Sequence, residues 1–572
     1  MEVSVRLSVR LALVGVSLLA MVRPAGSASF LTFEQITRGL DGLNGPRGLA
    51  LSPDGAHLYV ASANDDAVAV FRRDPATGDL TFVERHKNGE GGVDGLDDAR
   101  AVALSPDGLY VYVAAARSDA VAVFSRNPTT GALAYVERQK DGVDGVNGLN
   151  GATALALSPD GSSLYVAGQT DDALAVFQRD VSSGALTFVE EVKKGANGVD
   201  GLAGARSVTV SPDGAHVYAV GTDDQAVAVF GRDPSTGVLS FLQVVRNGVD
   251  GVAGLDGVRA VAVSPDGADV YASGSSNSTL VAFRRDPASG TLTALQVVQK
   301  GVGHTQGLDG VRGLTLDPDG LHLYAASADD NALTVLRRDP TTGLLVFSEL
   351  ESDGEGPVKG LKGAAAAVVS LDARFLYVAG SADDAITVFR LAPLDCSPTA
   401  APSCEVPARS RQALVVLHQP KRSGRNSFAW RWSTSAAAPR FASPLGGTDY
   451  AVCLYDASAP PGLPTFAFGA YAPAGGTCAH GTPCWKAHGR GSFRYEERSH
   501  NPDGLLRIVL ASASGGRAHI AVNAGGTSFG GLALPLTPTV TLQLQARGGA
   551  CWAAEYRQPI RNETHLFKAR SG

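Results

Sequence analysis

The stretch LSPDGAHLYVASANDDAVAVFRRDPATGDLTFVE, Leu51 to Glu84, decides the fold. Its apolar residues alternate in HLYVAS and AVAVFR, the period of a strand. Ser-Pro-Asp-Gly and Asp-Pro-Ala-Thr-Gly are turn chemistry: Pro pre-sets φ, Asp caps the turn locally and Gly accepts a positive φ. Fifty-three residues on, it returns as LSPDGLYVYVAAARSDAVAVFSRNPTTGALAYVE. Ser52, Ser105, Ser158, Ser211, Ser264, Asp317 and Ser370 keep that step, as do Tyr59, Tyr112, Tyr165, Tyr218, Tyr271, Tyr324 and Tyr377. Each unit reads as four strands: A (ARAVAL), B (HLYVAS), C (AVAVFR) and D (LTFVE). Four strands in a unit of about 50 residues make a propeller blade.

A ring of blades has to close. After strand C of the seventh unit, AITVFRLAPLD (Ala385 to Asp395), no fourth strand follows. LTFEQI (Leu31 to Ile36), at the other end, matches LTFVER (Leu80 to Arg85). The first strand is therefore expected to complete the last blade, removing an open sheet edge. The expected fold is all-β: a seven-bladed β-propeller over residues 29–393, a linker over 394–411 rich in Pro, Ala, Ser and Arg, and a disulfide-bearing β-sandwich over 412–572.

Residues 1–28 read as a signal peptide. Arg6 and Arg10 precede an apolar run from Leu11 to Val22 and a small-residue site at Gly26-Ser27-Ala28. The run is short for a membrane span, and no later segment is long enough. A secreted or periplasmic protein, monomeric and without a transmembrane segment, is expected. The cysteines agree: the propeller has none, and Cys396, Cys404, Cys453, Cys478, Cys484 and Cys551 all lie late, an even number that reads as disulfides of open pairing. CAHGTPCW lacks a zinc spacing, so His480 is not taken as a metal ligand. Trp430 and Trp432 share one strand face; core is the favoured reading, stacking on sugar rings the alternative.

Residues 31–393 carry 28 Lys and Arg against 46 Asp and Glu, a net of −18, whereas residues 394–572 carry 18 against 9, a net of +9. The basic part has no stripe of cations interleaved with aromatics, so nucleic acid is not an expected partner; a carbohydrate or protein surface is.

The A–B and C–D connections are tight turns on one face. The B–C and D–A loops share the other, so a pocket at the axis should open there. The D–A loops end in an Arg column, Arg47, Arg100, Arg206, Arg259 and Arg312, broken at Thr153 and Ala365. The B–C loops carry Asp66, Asp119, Asp172 and Asp384. An Arg ring suits a carboxylate or phosphate; the favoured alternative is an Arg–Asp brace between the two sets of loops. Asp141, Asp144 and Asn147 recur every third residue, and oxygens of this kind suit calcium, but the spacing is not that of an EF-hand loop, Asp, Asn and Gly also simply make loops, and no cofactor is expected. Asymmetry is where catalysis would sit, and the candidates are His304 with Arg312, and Glu355.

The motif LSPDG…LYVA…DAVAVF.RDP.TG.LTFVE resembles the lactonase-type seven-bladed propeller family, which includes 6-phosphogluconolactonases and carboxymuconate cyclases. The C-terminal region resembles a cysteine-containing β module of secreted bacterial proteins. The family resemblance implies a lactone hydrolase or cycloisomerase with its site at the axis. The repetition of the blades favours a binding or interaction module at or outside the cell envelope, because one group offered many times is not an acid, a base and an electrophile.

Overall fold

A computed structural model of the chain describes residues 30–391 without a break and most of 396–571; residues 1–29, 392–395, Gly572 and short segments of the C-terminal region lie outside it. The leader expected over residues 1–28 is therefore outside the described residues.

Residues 31–391 form seven four-stranded antiparallel sheets. Six run in chain order, from Pro46–Leu51 through Leu80–Lys87 in the first blade to Val311–Leu316 through Leu345–Ser352 in the sixth. The seventh contains Ala364–Val369, Phe375–Gly380 and Ala385–Leu391, and is completed by β1, Leu31–Arg38. Leu31 stands opposite Leu391 and Arg38 opposite Ala385. β1 also repeats the contact that the outer strands of blades 2 to 6 make with the blade before them. Its Leu31 N–H donates to Glu349 Oε2 (3.0 Å), as the Leu345 N–H donates to Gln296 Oε1 (2.8 Å) and the Leu133 N–H to Glu84 Oε1 (2.6 Å).

The core is divided into layers between neighbouring blades. Tyr59, Ala61, Val68 and Val70 of blade 1 pack on Val102, Val111, Val113 and Phe124 of blade 2. Blade 7 closes on blade 1 through Tyr377, Ile386 and Val388 against Leu58, Val60 and Phe71. All six residues of His57–Ser62 are buried, because the inner strands are covered on both faces.

A buried Arg at the end of strand C ties six of the seven blades to the one before. Arg126 donates from Nε to Tyr59 Oη (2.6 Å) and from Nη2 to Asp54 Oδ2 (2.9 Å). Arg179, Arg232, Arg285, Arg338 and, across the closure, Arg73 repeat this on Asp107, Asp160, Asp213, Asp266 and Asp372. The seventh position is Leu391.

The C-terminal region is a two-sheet sandwich. An eight-stranded sheet includes Ala413–His418, Asn426–Thr434 and Ala518–Gly526; a four-stranded sheet includes Tyr450–Asp456, Val540–Ala546 and Cys551–Tyr556. Val415, Trp430 and Ile520 of the first meet Val452, Leu542 and Trp552 of the second in one core. Trp430 and Trp432 are fully buried, their indole N–H groups donating to Tyr556 Oη (2.9 Å) and the Ala553 carbonyl (3.0 Å). They are core, not a sugar platform.

Cys396 pairs with Cys453 and Cys404 with Cys551; Cys484 is also disulfide-bonded, and the side chain of Cys478 lies outside the described residues. Beside the Cys404 bridge, the Glu405 N–H donates to the Cys551 carbonyl (2.9 Å), stitching this part of the Pro-rich segment to the sandwich. Reduction should cost the sandwich about 2–4 kcal/mol per bridge through loop entropy and leave the cysteine-free propeller unchanged. Separate thermal transitions, with and without reductant, check this; an equal drop in both would refute it.

Candidate functional site: an arginine ring at the propeller axis

The innermost strand of every blade starts with a β-bulge. Pairing shifts between Pro46 and Gly48, between Ala99 and Ala101, and likewise in the other five blades. In every blade the second residue of strand A falls in the shift: Arg47, Arg100, Thr153, Arg206, Arg259, Arg312 and Ala365. A bulge re-aims its side chain, and these seven, one from each blade, line a single cavity of about 100 Å³ on the axis.

Five guanidinium groups converge there, and no carboxylate is among the lining residues. Arg100 has an acid of its own: its Nη2 lies 2.7 Å from Asp98 Oδ2. The Nε atoms of Arg47, Arg206, Arg259 and Arg312 are buried without a hydrogen-bond partner. Burial, then the positive charges of Arg259 and its neighbours, push Arg206 down to about 10; Arg47 and Arg312 are lowered by the same causes. Thr153 faces backbone, its Oγ1 donating towards the carbonyls of Ala167, Ala205 and Arg206, each at 3.3 Å. The ring is thus an arc of three arginines (Arg206, Arg259, Arg312) and an arc of two (Arg47, Arg100), separated by Ala365 and Thr153. Such a site attracts an anion with more than one charge.

The Arg–Asp brace expected between the D–A and B–C loops is not what forms. The B–C aspartates hold backbone instead: Asp66 accepts from the Asp98 N–H (2.9 Å), Asp119 from Gly151 (2.8 Å), Asp172 from Gly204 (2.7 Å) and Asp384 from Gly45 (2.8 Å). These bonds sew each blade to the loop entering the next. The bulge turns the arginines inward to the axis, and Arg100 keeps a carboxylate of its own loop, Asp98. The brace that does exist, from Arg73 to Arg338, is in another column on the opposite face. Its signal in the sequence is the Arg preceding Asp-Pro, Asn-Pro or Asp-Val in six units.

The catalytic candidates are not gathered. His304 and Glu355 are exposed loop residues outside the cavity lining, whereas Arg312 is in it. Of the calcium candidates, Asp141 accepts the Leu149 N–H (3.1 Å) and Asn147 Nδ2 donates to the Gly145 carbonyl (3.3 Å), while Asp144 takes a positive φ of 50°. These contacts shape the loop. A larger cleft, about 850 Å³, lies in the C-terminal region, lined by Arg409, Arg411, Arg557 and Arg570 with Glu555, Val406 and Ile560.

Seven four-stranded blades around a cationic axial cavity define a closed β-propeller. The chain belongs to the family described as lactonase, 7-bladed beta-propeller, which it matches over residues 27–147, 99–250 and 199–359. It is 29% identical to the 6-phosphogluconolactonase of Bacillus subtilis (strain 168) over 143 residues, 25% of this chain and 39% of that protein. It is 24% identical to the 6-phosphogluconolactonase of Klebsiella pneumoniae (strain 342) over 310 residues, 54% of this chain and 86% of that one. The first of these matches thus spans about two fifths of the relative. Among solved structures it is similar to the periplasmic gluconolactonase of Pseudomonas aeruginosa, at 24% identity and a TM-score of 0.45, over 54% of this chain and 86% of that one.

Proposed function

We propose that this protein is a lactonase-family binding module, exported from the cytoplasm, whose axial arginine ring captures a compact anion bearing more than one negative charge. The organisation we assign is a leader over 1–28, the propeller over 29–393, a linker over 394–411 and a basic sandwich over 412–572. The observation that carries the reading is the convergence of five guanidinium groups on one cavity with four Nε donors unmatched. A buried donor without a partner is costly, and an anion is the group that satisfies all of them. No residue positioned as a general base lines the cavity.

Calorimetric titration with citrate, sulfate and phosphate, beside a neutral sugar, tests this. Binding of the anions alone is expected, and Arg206→Ala or Arg259→Ala should each weaken it about tenfold, the scale of one charge-assisted hydrogen bond. Affinity equal for neutral and charged ligands would refute the site.

Lactone hydrolysis in the same cavity is the second reading, favoured by the Klebsiella pneumoniae relative, whose match covers 86% of that protein. Its test is turnover of a simple lactone. Turnover that is lost in Arg206→Ala and kept in His304→Ala would place chemistry at the ring. Turnover lost in His304→Ala without unfolding would restore the exposed histidine and overturn the binding reading.

A further inference from the structure

Six of the seven joints between blades contain the same buried cation, which makes the seventh a natural deletion experiment. At the joint between blades 6 and 7, Leu391 stands where the other joints have Arg. The turn of blade 6 is changed as well: Asp317 replaces the Ser found in the other six blades. Two carboxylates, Asp317 and Asp319, therefore share a joint from which the guanidinium is missing. His322 Nδ1 lies 2.7 Å from Asp317 Oδ2, and a carboxylate oxygen of Asp319 lies within 4.8 Å of both side chains. Two carboxylates this close repel when both are ionised, so with no guanidinium between them a proton on one takes the place of the absent cation.

This joint is also the one that β1 closes. Phe30 lies against the His322 ring, centroids 4.2 Å apart, and Leu31 and Leu391 belong to the same apolar layer as Leu376 and Phe389. The charged and titratable groups around it can be named from each element. Blade 6 contributes Asp317, Asp319 and His322; Arg337, which stands opposite His322 on the next strand; Arg338, whose Nη1 donates to the Gly320 carbonyl (3.1 Å); and Glu349, which holds the Leu31 N–H. Blade 5 contributes Asp266 and Asp269, both engaged by Arg338. β1 and blade 7 bring Phe30, Leu31 and Leu391, none of them charged.

We propose that the joint between blades 6 and 7 is a proton-operated latch on ring closure: with Asp319 protonated β1 is held shut, and with Asp319 ionised the closing strand loosens. Burial and then the charge of Asp317 push the Asp319 carboxyl up to about 7. Asp317 itself is held below the usual carboxylate range, burial being outweighed by its hydrogen bond to His322. The direction follows. A carboxyl raised in the closed ring stabilises closure fully below its ordinary value near 4, and that stabilisation is lost as pH rises towards about 7. His57 and His216 are buried with lowered values, so they act oppositely, losing stability as pH falls, and they sit at other joints.

Amide hydrogen exchange between pH 5 and 9, corrected for intrinsic chemistry, reads the latch on the intact mature protein. Leu31–Arg38 is the probe, and Leu80–Lys87, the same strand of blade 1, is the control. Opening of β1 should rise by up to about tenfold per pH unit as Asp319 ionises, levelling above about pH 7, the slope of one linked proton; the control should stay level. Asp319→Asn should remove the slope. Leu391→Arg should rebuild the brace on Asp319 and make β1 behave as the control. A β1 whose opening does not change with pH, or an Asp319→Asn protein that keeps the slope, overturns the proposal; if Leu391→Arg does not fold, Asp319→Asn decides alone.

Discussion

A chain that begins at Arg38 should fail to persist as a soluble monomer. The deletion removes nearly all of β1, so strand Ala385–Leu391 becomes an open edge with a full row of unpaired amides and carbonyls. Leu31 leaves its buried site, and Phe33 and Ile36 leave their partly buried positions. At roughly 1.5–3 kcal/mol for each large apolar side chain that is fully buried, with the lost ladder added, the cost is on the order of 5 kcal/mol, comparable to the whole stability of many domains. Sedimentation and urea unfolding check this. A monomer as stable as the parent would show that β1 does not close the ring.

Arg179→Ala should cost the propeller about 3–5 kcal/mol, the range for breaking a buried ion pair from one side. Arg179 is only 1% exposed, whereas Asp107 is 28% exposed. Water can therefore reach the orphaned carboxylate, which draws the expectation towards the lower end. Three groups lose their donor: Asp107 Oδ2, Tyr112 Oη and the Gly161 carbonyl. Arg179→Lys should recover part of the loss but not all of it, because an ammonium cannot reach three acceptors set out for a planar fork. Urea denaturation of the three proteins measures it. A loss below 1 kcal/mol in Arg179→Ala would mean that the apolar layers alone hold neighbouring blades together.

The propeller was legible because its evidence is repeated. Alternation in HLYVAS, the Ser-Pro-Asp-Gly turn and the 53-residue step are local signals multiplied by seven, and closure followed from a strand missing at one end and extra at the other. The sandwich was read from apolar runs alone, without a repeat to cross-check its strand order. The Arg column of the axis was visible, but not its direction. A bulge shifts the pairing by one residue, so a strict two-residue alternation misplaces whatever sits in it. That is why Arg206 was expected against an aspartate and is found facing Arg259. Nor does spacing show that Asp66 and Asp172 are occupied by amides, since both are compatible with a loop carboxylate free to bind a ligand.

The Leu31–Glu349 contact has a consequence for assembly. β1 is the first part of the propeller to be made and the last to be used, since its pairing partner, strand Ala385–Leu391, is synthesised some 350 residues later. Closing contacts of such sequence separation are slow to form. Until then β1 can compete with Leu80–Lys87, a strand that opens on the same Leu-Thr-Phe, for the edge of blade 1. The same likeness means the ring has no compulsory starting point. A permuted chain, opened at another outer strand and joined through its old ends, would present the same contacts in every blade and need no new one to fold.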